Sequence, residues 1–160
     1  MNISYIFKEV GAAATAASIS PEALVELVVK SLVDHKGLEP VIIEVKGLCS
    51  FADYFIVCSG GSRRHVSALA QHLEESLSQV GAKPLGVEGM EEGQWVLMDY
   101  NDVVIHIFSQ PLREFYNLEG LWAEASQTHV ESAASASSHP HSPQENIPDQ
   151  GSNPKQFRHE

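Results

Sequence analysis

Two stretches of the chain repeat their apolar residues at helical spacing. Leu24, Leu27, Val28, Ser31 and Leu32 fall on one stripe between Pro21 and Gly37, and Val66, Leu69, Ala70, Leu73, Leu77 and Val80 fall on another that Gly81 ends. The first opens on Ser20-Pro21-Glu22, which joins a capping hydroxyl, a proline at the first helical position and an acid at the positive end of the helix dipole. Gly37 is placed to stop it. Between the two helices, Val41-Ile42-Ile43-Glu44-Val45 and Tyr54-Phe55-Ile56-Val57-Cys58 read as strands. The second is nearly continuous in apolar residues, the pattern of a central strand covered on both faces.

After the second helix the pattern changes to period two. In Trp95-Val96-Leu97-Met98-Asp99-Tyr100, alternation puts Trp95, Leu97 and Asp99 on one face and Val96, Met98 and Tyr100 on the other. Asn101-Asp102 supplies a short turn, and the β-branched run Val103 to Phe108 is the return strand of a hairpin. Lys83 to Val87 adds a short strand ahead of it, and Pro111 to Ala125, with Leu112, Phe115, Tyr116, Leu118 and Leu121-Trp122, forms one or two short closing helices. The order helix, strand, strand, helix, three strands, helix predicts an α/β (α+β) single domain with a mixed sheet of about five strands flanked by helices.

From Ser126 onward the composition turns to Ser, Ala, Pro, Gln and Asn, with too little apolar area to offset the entropy of ordering. Three regions result: an N-terminal arm over 1–19, a folded domain over 20–125 and a disordered tail over 126–160. The tail holds His129, His139, His141 and His159, but four histidines without cysteines or a scaffold make a poor metal site.

Charge narrows the partner classes. Acids outnumber Lys plus Arg by 21 to 10, and only Arg63-Arg64 cluster, so direct binding of nucleic acid through phosphates is disfavoured and a basic protein is the better complement. No apolar run reaches the ~20 residues needed to span a bilayer. The alanine-rich start, with Lys8 beside Glu9, fits neither a signal nor a transit peptide. Cys49 and Cys58 then read as free thiols of a cytoplasmic protein.

Candidate chemistry is sparse. Gly60-Gly61-Ser62-Arg63, between a strand and a helix, could present N–H groups to a phosphate, as a nucleotide-binding or nucleotidyl-transfer enzyme requires. It matches neither the P-loop nor the dinucleotide fingerprint, and the carboxylate pair that would hold two metal ions is missing, since the next acids are Glu74 and Glu75. His65 and His72 share a helical face but do not complete a metal site, and His106 has no serine or cysteine placed to form a triad. Trp95, fenced by Glu88, Glu91, Glu92 and Asp99, reads instead as an anchor for a basic partner. No catalytic residue, cofactor or metal is expected.

Several ordered motifs carry a resemblance. Ser50-Phe51-Ala52-Asp53-Tyr54-Phe55-Ile56-Val57-Cys58-Ser59-Gly60, Pro84-Leu85-Gly86-Val87-Glu88-Gly89, Gly93 to Tyr100, Asp102 to Phe108, and Arg113-Glu114-Phe115-Tyr116-Asn117-Leu118-Glu119 through Leu121-Trp122 resemble the ribosomal silencing factor (RsfS, or Iojap-like) family over about Ala23 to Ala125. The resemblance implies a nucleotidyltransferase-like fold without catalysis. It also implies binding to the large ribosomal subunit through that subunit's fourteenth protein, obstruction of small-subunit docking, repression of translation when nutrients are short, and homodimer formation. Carried onto this chain, it makes Trp95 the conserved tryptophan and Asp99 the strand acid, with Leu97, Tyr100 and His106 as further contacts and Glu88 and Glu91 as charge complements.

Overall fold

The computed structural model describes residues 19–131. These form one α+β domain built on a six-stranded mixed sheet of order β3-β4-β5-β2-β1-β6. Its elements are α1 (Pro21–Asp34), β1 (Leu38–Glu44), β2 (Tyr54–Gly60), α2 (Arg63–Gln79), β3 (Gly86–Glu88), β4 (Trp95–Tyr100), β5 (Val103–Ser109), α3 (Gln110–Tyr116), α4 (Leu118–Leu121) and β6 (Ser126–His129). β2 runs parallel to β5, and every other neighbouring pair is antiparallel.

The sixth strand corrects the expected boundary at Ala125. Ser126–His129 pairs with β1 from Glu44 to Val41, and the Gln127 side-chain amide donates to the carbonyls of Glu119 and Trp122 at 2.7 and 3.0 Å. A polar segment with little apolar area is held here by ladder hydrogen bonds on an open sheet edge, a contribution that composition does not register. The arm, and the tail beyond residue 131 with His139, His141 and His159, lie outside the described residues.

Helix starts and stops follow the local chemistry. The Ser20 and Ser62 hydroxyls accept the N–H groups of Ala23 and His65 at 3.2 and 3.0 Å, capping α1 and α2. At the end of α1 the left-handed position is taken by Lys36 (φ 61°), not by Gly37. Gly37 N–H then reaches back to the Leu32 carbonyl at 2.7 Å and Lys36 N–H to Val33 at 3.1 Å, the paired bonds of a Schellman end.

One face of the sheet is fully roofed. α1 and α2 bury Leu24, Val28, Leu32, Val66, Leu69, Leu73 and Leu77 against Ile56, Cys58, Val96, Met98, Tyr100, Ile105 and Ile107. The opposite face carries Val41, Ile43, Phe55, Val57, Val104 and Phe108 and is roofed only in part, by Leu112, Leu118, Trp122 and Ala125.

The turn after β2 is part of this packing. A Cβ on Gly60 would stand 2.7 Å from Val66 Cγ2 and 2.8 Å from Val66 N, so only glycine lets α2 come this close to the strand. Gly60→Ala is expected to cost about 1–3 kcal/mol in chemical denaturation, the usual penalty of overpacking a tight site.

Candidate functional site

Sheet register assembles the site on the half-open face. Glu88, Leu97, His106, Val57 and Val41 stand side by side across β3, β4, β5, β2 and β1. Asp99, Val104, Phe55 and Ile43 form the adjacent row, and Trp95 faces Phe108 on the other side. Directly opposed residues on paired strands share a face, so these rows are one surface. The face of β4 alternates as expected: Val96, Met98 and Tyr100 are buried, while Trp95, Leu97 and Asp99 are half-exposed.

Rings dominate that surface. Trp95 lies 5.1 Å from Phe108, 5.9 Å from His106 and 4.7 Å from Tyr116 between ring centroids. Phe55 meets His106, Trp122 and Phe51 edge-on or tilted. At the margin, Phe51 packs on Phe55 and Phe115 on Tyr116, and the two are 68% and 78% exposed. An apolar surface this continuous on a small domain marks a contact region. Acids border it: Glu88 is exposed on the edge strand β3, and half-exposed Asp99 uses Oδ1 to accept Asn101 N–H at 2.9 Å, which shapes the hairpin turn.

His106 has a different place from a contact residue. It is 7% exposed, and its Nδ1 accepts the Trp95 indole N–H at 3.1 Å. Burial lowers its pKa to about 4, so the ring is neutral at pH 7. The folded pKa lies below the unfolded value of 6.5, so the unfolded chain binds the extra proton between those pH values and stability falls as pH falls. Going from pH 7 to pH 5 is expected to remove about 2 kcal/mol through this group. Urea unfolding at the two pH values should show that loss in the native chain and little of it in His106→Leu.

Two expected contacts lie elsewhere. Tyr100 is buried on the opposite face among the α1 and α2 side chains, because its position on β4 has the parity of Val96 and Met98. Glu91 is exposed but lines a cleft with Arg63, Arg64, Ser67, Glu92 and Gln94 at the start of α2. The structure therefore groups Trp95, Leu97, Asp99, His106 and Glu88, and separates Tyr100 and Glu91 from them.

The glycine turn is held by bonds to its own neighbours. Gly61 N–H donates to His65 Nδ1 at 2.9 Å, His65 Nε2 lies 3.0 Å from the His35 carbonyl, and Ser62 caps α2. Two N–H groups of this turn, those of Gly61 and His65, thus have internal partners. Cys58 is no better as a nucleophile, since burial pushes its thiol up to about 12. No group of three or more His, Cys, Asp or Glu able to hold a metal exists among the described residues. Millimolar nucleotide with Mg²⁺ is expected to leave the thermal midpoint unchanged; a rise of several degrees would mark a bound ligand.

Sequence reasoning missed Phe55, a ring partner of His106, and Phe108 and Tyr116, ring partners of Trp95. Strand parity offers a signal for the first two, but only once β2 and β5 are known to be neighbours. Arg113 was also missed: it is 7% exposed on α3, and all its donors are used. Nε and Nη2 bind Glu119 at 2.8 and 2.7 Å, Nη1 binds Ser59 Oγ at 2.9 Å and the Leu38 carbonyl at 3.2 Å, and Nη2 binds the Glu39 carbonyl at 2.8 Å. Glu39 holds its carbonyl there from a left-handed backbone (φ 48°), next to an irregularity in the β1 register.

Comparison with known proteins gives one answer. Residues 18–154 match the family model described as ribosomal silencing factor during starvation. The chain is 36% identical over 117 residues to ribosomal silencing factor RsfS of Halalkalibacterium halodurans, covering 73% of this chain and 100% of the relative. It is 41% identical over 105 residues to RsfS of Zymomonas mobilis, covering 66% and 79%. A crystal structure of a Chromobacterium violaceum protein superimposes with a TM-score of 0.65 at 33% identity, covering 72% of this chain and 97% of that one.

Proposed function

The chain belongs to the ribosomal silencing factor family, and from that premise we propose that it docks on the large ribosomal subunit with the half-open sheet face and blocks the small subunit from joining. The observation that carries this reading is the grouping of half-buried Trp95 with Leu97 over an aromatic bed, bordered by Glu88 and Asp99. An aromatic anchor in a partly desolvated setting slows dissociation, and acids at the rim steer a basic partner into register. Ribosomal proteins are basic, and the fourteenth protein of the large subunit is the partner we assign to this face. The action is repression of translation by occupancy, in the cytoplasm, with no bond made or broken. Homodimer formation belongs to the same proposal.

Aromatic residues and acids recur on many surfaces, so the test must address this one. Asp99→Lys reverses the rim charge without touching the helix-covered core, and Glu91→Lys makes the same change in the cleft at α2. In sedimentation with isolated large subunits, the first should lose binding and the second should keep it. Equal losses would point to bulk charge rather than this face.

A further inference from the structure

Resting on the docking face just proposed, we infer that His106 is its positioning residue, whose Nδ1 holds the Trp95 indole in the one orientation in which the anchor is presented. Trp95 is only half-buried, and its ring meets Phe108 at a 24° tilt and Tyr116 at 41°, contacts that allow sliding. The indole has a single polar atom, and that atom is bound to His106 at 3.1 Å. A ring kept by dispersion alone can turn over; a ring tied by its N–H cannot do so without leaving a part-buried donor unpaired.

The rest of the face fixes His106 in turn. Phe55 packs edge-on at 5.7 Å and 85°, Phe108 stacks at 6.0 Å and 9°, and the flanking residues in its row are Leu97 and Val57. An imidazole that accepts at Nδ1 must carry its proton at Nε2, so the tautomer is set by the bond to Trp95. Anchor and tautomer are one coupled arrangement.

Packing and hydrogen bonding predict opposite orders for two variants. His106→Leu keeps apolar volume and deletes the acceptor. His106→Asn keeps an acceptor near the Nδ1 position and gives up ring packing. The indole N–H resonance of Trp95, assigned by its loss in Trp95→Phe, should shift and exchange faster in His106→Leu and stay near its native position in His106→Asn. Large-subunit binding should weaken about tenfold in the first and clearly less in the second. The reverse order would show that packing alone sets the ring and would overturn the inference. If His106→Leu fails to fold, a long-range nitrogen spectrum of the native chain decides: the Nε2–H tautomer is expected, and the Nδ1–H tautomer contradicts the bond. A native chain that shows the coupled tautomer but does not bind large subunits would sink the docking reading and leave the Trp95–His106 pair standing.

Discussion

Trp95→Ala is expected to weaken binding to isolated large subunits by about 100-fold or more, the scale of a central aromatic anchor. The indole is half-exposed on β4 and is the ring that bridges the bed of Phe108 to Tyr116 on α3. Truncation removes the anchor ring and leaves the Nδ1 of His106 without its donor. Because the indole is half-exposed, the domain itself should lose less than a fully buried tryptophan would cost, and the variant should still unfold cooperatively. Sedimentation titrations paired with a thermal midpoint separate the two effects. A folded Trp95→Ala chain that binds within threefold of the native one would remove the anchor from the account.

Arg113→Met is expected to destabilise the domain by about 3–5 kcal/mol, the cost of breaking a buried ion pair from one side. Against a typical domain stability of about 5–15 kcal/mol, that loss can decide whether the chain folds at 37 °C. The guanidinium joins α3 to the carbonyls of Leu38 and Glu39 on β1, to Ser59 on β2 and to Glu119 on α4. Methionine fills the space and satisfies none of them. Ser59 is fully buried and would lose its donor, while Glu119, 21% exposed, would keep its charge without its partner. Adding Glu119→Gln should recover part of the loss, and Arg113→Lys should not, since a point charge cannot serve five bonds in one plane. Urea midpoints of the four chains test this, and a loss under 1 kcal/mol in Arg113→Met would mean the network is incidental. The consequence reaches the docking face because α3 carries Tyr116 against Trp95.

Local pattern carried most of the fold. Helical stripes from Leu24 to Leu32 and from Val66 to Leu77, and alternation from Trp95 to Tyr100, are periodic enough to be read one segment at a time. β6 was not legible, because Ser126–His129 gains its place from the free edge of β1 rather than from its own residues. Membership of the site divides along the same line. Trp95, Leu97 and Asp99 share a strand, so parity alone puts them together. Tyr100 has the wrong parity for that face, and the sequence motif drew it in only because it is adjacent in the chain. Glu91 is close to Trp95 in sequence, yet its loop turns toward Arg63 and α2. The reach of Arg113 across more than 70 residues to Leu38 and Glu39 needs the tertiary fold to be seen.

Steric obstruction makes a prediction about order of addition. Isolated large subunits are first saturated with the protein and then mixed with small subunits, and the joined particle is followed on a density gradient. The native chain should hold the subunits apart and migrate with the large one, whereas Trp95→Ala should permit joining as if no protein had been added. Subunits that join fully while the native chain stays bound to the large one would contradict the account, because occupancy of this face would then obstruct nothing.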